Sequence, residues 1–243
     1  MSLNRNKIGI LILALAAFAA ACDEPSDVTT ETRTVALEGA ARAEVALQMG
    51  AGELRVGGAE QAALLEGSFE YNRDRLRPEV EYRRFEDRGI LRVRHAKRGF
   101  IPLGTVRNRW DLRLGYGVPL ELDVDLGAGR SDLDLRGLDL RRLEIDMGVG
   151  EMELDLRGPR KESFRVKIDG GIGSARLRLP ADVGVRVKVD GGLGSVDAHG
   201  LTKQAGAWVN EAYGSSPVSL ELDIDAGIGS IDLRCELPDR RKI

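Results

Sequence analysis

The sequence predicts an all-β protein, a single-domain β-solenoid with an N-terminal antiparallel β-sheet region. One short pattern returns five times between Leu120 and Cys235, and apolar and charged residues alternate within each copy. Self-similarity at a regular spacing is typical of repeat architectures. Counted from the first glycine of each G-x-G, the copies are spaced by 21, 23, 21 and 35 residues and begin at Gly127, Gly148, Gly171, Gly192 and Gly227.

The N-terminus, residues 1–21, predicts a secretory signal peptide. Arg5 and Lys7 precede an apolar run that is too short to cross a bilayer as a mature helix. Small residues leading directly into Cys22 resemble a bacterial lipoprotein signal. The resemblance implies that Cys22 carries lipid, palmitate for instance, and holds the protein at the membrane of the cell envelope. An ordinary cleaved signal with a chance cysteine is the alternative.

The polar residues 22–33 predict a flexible tether between this anchor and the folded body. Loss of Arg5 and Lys7 with the signal takes the formal net charge from -3 to -5, so no general affinity for nucleic acid is expected. With Cys22 lipidated, Cys235 is the only other cysteine, which leaves no intramolecular disulfide.

Residues 34–119 predict an N-terminal β region that carries one degenerate repeat, MGAGELRV. Alternation and turn residues place strands at 62–71, 78–85 and 90–95. A connecting stretch over 99–119 contains three aromatic residues, which either line a groove or close the open end of the core. They are Phe100, Trp110 and Tyr116.

Between Arg73 and Arg113 the chain has thirteen Lys or Arg residues against six Asp or Glu. One interpretation is a patch for anionic lipid headgroups or anionic envelope polymers. The favoured one is a solvated outer strand face, because Arg92 and Arg94 alternate with apolar neighbours.

The repeats over 120–237 predict stacked rungs, each built of two short strands joined at a glycine corner. Every copy has apolar residues five and three positions ahead of the G-x-G, with a charged residue between them. Such rungs bury their apolar faces only by stacking. The residue between the two glycines is apolar and is predicted to turn inward; it is Ala128, Val149, Ile172, Leu193 or Ile228.

Stacked in chain order, the outward charges Asp123, Glu144, Lys167, Lys188 and Asp223 bring opposite signs together at two of four steps. Two residues ahead of each corner, every copy has an aspartate. These aspartates either bind a cation or accept hydrogen bonds from the turn amides, and we favour the local role. They are Asp125, Asp146, Asp169, Asp190 and Asp225.

The remaining candidates for chemistry have structural explanations, so we expect no enzyme, cofactor or metal. Cys235 stands where other copies have leucine, which predicts a buried apolar role. His199 is predicted at the surface, and His95 has no Cys or His at ligand spacing. The G-x-G copies open no helix, which excludes a dinucleotide fingerprint.

The insertion over 201–217 is the candidate binding loop, because insertions in solenoids emerge on one face. Its aromatic residues Trp208 and Tyr213 are the candidate contacts, and a loop folded back on the rungs is the equal alternative. Residues 238–243 are predicted to be a frayed tail.

The motifs MGAGELRV, LGAGRSDLDL, MGVGEMELDL, GGIGSARLRL, GGLGSVDAHG and AGIGSIDLR resemble the toast-rack group of bacterial envelope proteins. They are also similar to the related "putative adhesin" solenoids and to the C-terminal domain of LiaF-type cell-wall-stress proteins. The resemblance implies a β-solenoid in the envelope and no transferable functional residues.

The leading hypothesis is a non-catalytic, membrane-anchored lipoprotein that binds an envelope protein or a cell-wall polymer as an adhesin-like scaffold. The alternatives are a regulatory component of an envelope-stress response that works through a membrane partner and, third, a polysaccharide-active enzyme.

Overall fold

A computed structural model describes residues 27–95 and 106–237 and confirms the all-β prediction. The described residues form one sheet of fourteen strands, and their one helical segment is the three-residue turn Asp74–Leu76, so no described helix could cross a membrane. The strands are β1 (Thr29–Ala36), β2 (Arg42–Ala59), β3 (Ala63–Tyr71), β4 (Pro78–Phe85), β5 (Arg88–His95), β6 (Asn108–Gly115), β7 (Leu120–Asp134), β8 (Leu140–Asp155), β9 (Phe164–Pro180), β10 (Gly184–Asp190), β11 (Leu193–His199), β12 (Thr202–Gln204), β13 (Ala207–Val209) and β14 (Ser219–Glu236).

The repeats form long strands that pair in parallel and in register, which gives a solenoid-like stack. β2, β7, β8, β9 and β14 each run through the glycine corner, so that their first and second halves form two walls. Only the fourth copy is divided into two strands, β10 and β11, as the sequence predicted for all copies. Alternate residues of both walls are buried in one shared core, such as Leu122 and Leu133 in β7.

The stacking order differs from the chain order. β14 lies between β9 and the β10–β11 pair, so the last copy is the second rung from the end. The outward charges therefore follow the order Asp123, Glu144, Lys167, Asp223, Lys188. Opposite signs now meet at three of four steps, and the prediction of two is wrong because it assumed consecutive stacking.

The apolar residue at the corner points outward rather than inward. Val149 is 51% exposed and Ile228 is 53% exposed, while Ala128 is half-buried. The glycine positions face the neighbouring rung, where a Cβ on Gly148 would stand 2.3 Å from the carbonyl oxygen of Gly127. With both glycines against the stack, the residue between them is left at the outer tip of the bend.

The N-terminal region continues both walls. β5 and then β4 extend the first wall from β2, and β6, β3 and β1 extend the second. Because β1 begins at Thr29 and pairs with β3, the predicted tether extends too far at 29–33. Part of the predicted connecting stretch is β6, whose Trp110 is buried in the core against Phe69, with ring centroids 5.5 Å apart. Tyr116 is 44% exposed, and Phe100 lies outside the described residues.

The insertion folds back on the stack, which is the second of the two alternatives. β12 and β13 form a hairpin, and β13 pairs antiparallel with β10 at the end of the first wall. Asn210 continues this pairing with its side chain, since Oδ1 accepts from the Val185 amide at 2.8 Å and Nδ2 donates to the Val183 carbonyl at 2.7 Å. The hairpin therefore pairs with the edge of β10 that faces away from β14, whereas β11 pairs only with β14 among the described strands.

Candidate functional site

A polar groove of about 410 Å³ lies on the outer surface of the second wall, across β1, β3, β6 and β2. Its lining combines four arginines, three carboxylates and three hydroxyl side chains, with no aromatic residue. The lining residues are Thr32, Arg33, Thr34, Arg55, Glu66, Gly67, Ser68, Glu70, Arg109, Asp111 and Arg113.

The groove follows from which residue types share a row across the strands. One outward row runs through Thr32, Ser68, Asp111 and Arg55, so short hydroxyl side chains on β1 and β3 are followed by longer side chains on β6 and β2. The short hydroxyl side chains form the low part of this row. The adjacent rows place longer carboxylates opposite arginines, such as Glu66 opposite Arg113, and these form the rim.

Most of the arginines at the rim are held by carboxylates. Arg109 donates to Glu53 at 2.6 Å from Nη2, and this contact lowers the pKa of Glu53. Arg107 donates to Glu70 at 3.0 Å. Arg113 lies over Gly57, where a Cβ would come within 2.6 Å of Nη1, so glycine leaves the space that this guanidinium occupies.

Arg55 differs from these neighbours. It is exposed, and within the described part of the chain it forms no ion pair, although Asp111 and Asp132 flank it in register. The groove thus offers carboxylate and hydroxyl acceptors beside one guanidinium that is free to bind an anion. This combination suits a ligand that carries both hydroxyl and anionic groups.

The basic stretch of the sequence divides between the two walls. Arg109 and Arg113 line the groove, whereas Arg92 and Arg94 lie on the first wall, where Arg94 pairs with Glu79 and Glu81. Sequence reasoning missed the groove because it assigned residues 29–33 to the tether. The alternation of threonine with longer polar residues over 30–34 was the available signal for a strand there.

The other candidate residues from the sequence do not line the groove. Trp208 is half-buried with Lys203 5.4 Å from its ring centroid, and the Tyr213 hydroxyl donates to Glu221 at 3.2 Å. Neither Trp208 nor Tyr213 is among the residues that line the groove. Cys22, the predicted signal over 1–21 and the predicted tail over 238–243 lie outside the described residues.

The cysteine and histidines have no catalytic arrangement in the regions described. Cys235 is half-buried, and burial raises the pKa of its thiol. His199 is exposed as predicted. His95 lies 5.2 Å from the Trp110 ring and 3.1 Å from the Asn108 amide nitrogen, and burial lowers its pKa. Among the described residues, no group of three or more His, Cys, Asp or Glu could hold a metal ion.

The corner aspartates do not have the predicted local role. In the described segments, none of the five accepts a hydrogen bond from a turn amide; Lys167 Nζ instead donates to Asp169 at 2.7 Å, and Lys188 donates to Asp190. The strands remain paired on both sides of the corner, for example at Leu126–Met147 and at Ala128–Val149.

The described residues form a continuous, solenoid-like β stack with a polar groove on its outer surface. Comparison with protein families identifies the family of this chain: the family described as the N-terminal domain of toast_rack, DUF2154, matches residues 24–178. This chain belongs to that family, and the resemblance predicted from its G-x-G motifs is confirmed.

Solved structures are similar over most of the chain. A crystal structure described as a "putative cell adhesion protein" from Clostridium sporogenes is 31% identical over 86% of this chain and 100% of that chain, with a TM-score of 0.79. A "putative adhesin" from Bacteroides fragilis is 11% identical over 86% of this chain and 98% of that chain; its TM-score of 0.34 is too low to carry an inference. No curated protein matched the chain.

Proposed function

We propose that this protein is a non-catalytic binding protein of the cell envelope whose groove takes an anionic polysaccharide. The observation that carries the proposal is the free guanidinium of Arg55 among hydroxyl and carboxylate acceptors. Sugar hydroxyls both donate and accept hydrogen bonds, and a carboxylate or phosphate on the polymer would bind the guanidinium.

The shape of the groove supports a polymer rather than a small molecule. The groove lies on the face of a sheet, without an enclosing lid among the described residues. Small-molecule sites bury most of their ligand in a concave, largely apolar pocket. A polar open groove instead favours many weak contacts along an extended chain, which suits adhesion. The similar Clostridium sporogenes structure, described as a "putative cell adhesion protein", supports the same function.

Arg55→Gln is expected to weaken binding to the polyuronate alginate about tenfold, because a charge-assisted hydrogen bond contributes about 1.5–3 kcal/mol. The measurement is retention on immobilised alginate, with neutral dextran as the ligand control. Arg92→Gln is the matched variant, since Arg92 is an exposed strand arginine on the other wall. Equal retention of wild type and Arg55→Gln, or equal retention on dextran, would refute the groove as the site.

The location in the envelope rests on lipid attached to Cys22. Six residues lie between Cys22 and Thr29, the first residue of β1, so the seven Cα–Cα steps from Cys22 to Thr29 span at most about 25 Å. The groove, which β1 borders, would therefore lie close to the membrane surface and meet polymers that are attached there.

Cys22→Ser is expected to move the protein from the membrane fraction to the soluble envelope fraction. Stable anchoring by acyl chains requires the thiol that carries them, and the folded body stays intact. Immunoblots of fractionated cells give the result, with Cys235→Ser as the matched cysteine control. A Cys22→Ser protein that stays with the membranes would refute lipid anchoring.

Two further outcomes would replace this proposal. Cross-linking in cells that recovers a single membrane protein, with no retention on alginate, would favour the regulatory role in an envelope-stress response. Depolymerisation of alginate by the purified protein would show an enzyme.

A further inference from the structure

The corners of the rungs form an exposed apolar line that the groove does not involve. We name the corner residues Ala51, Ala128, Val149 and Ile228 the apex ridge. Val149 and Ile228 are each more than half exposed, although both lie on strands that pair on two sides. Their strands lie on either side of β9, so their Cα atoms are roughly 10 Å apart.

An apolar crevice of about 50 Å³ opens beside Ile228. It exists because small residues replace large ones at one core position: Met49, Leu126 and Met147 in β2, β7 and β8 give way to Gly170 and Ala226 in β9 and β14. The crevice is lined by apolar side chains, including Met152, Ile168 and Ile231. This volume would admit the end of one aliphatic side chain.

A line of negative charge runs beside the apex ridge. We name it the aspartate row: Asp125, Asp146, Asp169, Asp225 and Asp190, adjacent in that order in the stack. Neighbouring strands are about 4.8 Å apart, so the carboxylates repel one another. Lysines pair with Asp169 and Asp190, whereas Asp125, Asp146 and Asp225 form no ion pair in the described segments.

Asp146 lies between Asp125 and Asp169 in the aspartate row. The pKa of Asp146 is raised by burial and then by the charges of Asp169 and Asp125 on the two adjacent strands. A cation placed along the row would relieve this repulsion.

We propose that the apex binds a basic polypeptide segment of a partner protein, with an aliphatic side chain of that segment in the crevice. Lysine or arginine side chains on either side of this anchor would reach the aspartate row. Apolar anchors in pockets, surrounded by complementary charge, are the common arrangement at protein interfaces.

Charge selects this occupant over the two others that an apolar ridge suggests. A bilayer with anionic headgroups would repel the aspartate row as Val149 and Ile228 approached it. A second copy docked apex to apex would place two aspartate rows side by side. A metal ion would need clustered ligands, and no such cluster occurs among the described residues.

A short fluorescent peptide of lysine and leucine tests the site by anisotropy against the mature protein. Ile228→Ser is expected to weaken binding about tenfold through loss of the anchor contact. Asp146→Asn is expected to weaken it about threefold and to reduce its salt dependence. Urea unfolding of each variant checks that the stack is intact.

The controls separate this site from the rest of the surface. Leu237→Ser removes an exposed apolar residue just after the end of β14, and Asp132→Asn removes an exposed aspartate from the second wall. Both should bind like wild type, as should Arg55→Gln. A peptide with serine in place of leucine, or glutamate in place of lysine, should bind at least about tenfold more weakly.

Two results would overturn the proposal. One is equal peptide affinity of wild type and Ile228→Ser. The other is cosedimentation with phosphatidylcholine vesicles that Ile228→Ser abolishes, which would show that the ridge contacts a bilayer instead.

Discussion

Gly173→Ala is expected to lower the free energy of unfolding by about 3 kcal/mol or more. A Cβ at this position would stand 1.8 Å from the carbonyl oxygen of Gly150 on the adjacent rung. Both groups belong to backbones that are paired in the stack, so neither can turn aside as a flexible side chain would. Chemical denaturation by urea, followed by circular dichroism, measures the loss.

Gly170→Ala is the matched control for this substitution. Gly170 lies three residues earlier on β9, and a Cβ there would meet nothing within 4 Å. The change is expected to be neutral or to stabilise by less than about 1 kcal/mol through the unfolded chain. Equal stability of the two variants would show that the corners do not stack as closely as the structure has them.

Ending the chain after Pro217 is expected to unfold residues 184–199, although these residues remain in the protein. Among the described strands, β14 is the sole partner of β11, and it joins β10 to the rest of the stack. Its buried leucines, such as Leu222 and Leu233, each stabilise the core by about 2–5 kcal/mol. Hydrogen exchange of the amides over 184–199 should become faster by about a hundredfold or more.

This truncation distinguishes the two stacking orders. With rungs in chain order, loss of the last copy would remove only the terminal rung and leave 184–199 protected. Protected amides in that segment would therefore contradict the position of β14. A chain that ends after Leu237 is the control, since it retains all of β14 and should exchange like the full-length protein.

The groove could be predicted only in part. The sequence shows Arg109 and Arg113 as members of a basic stretch, and alternation places them on one face of a strand. It does not show that β1 joins β3 there, because a polar threonine-rich segment after a signal reads equally well as a tether. Pairing with β3 orders that segment by hydrogen bonds that no local pattern encodes.

The corner residues illustrate a second limit. Val149 and Ile228 are apolar and follow a buried alternation, so the sequence favours an inward direction for both. The outward direction of these side chains is instead set by the adjacent rung, whose carbonyl oxygens occupy the space next to the flanking glycines. Close approach of two backbones is a property of the stack and has no signature in one copy.

The sequence by itself determined the all-β class, the repeat, the buried apolar ladders and the corners, because alternation and glycine spacing act within a few residues. Only the tertiary structure decided the order of the rungs, the groove and the outward apex ridge. Each depends on which distant strand lies alongside. In this fold β14 lies between β9 and β10, and opposite charges alternate at more of the steps there than they would with the copies in chain order.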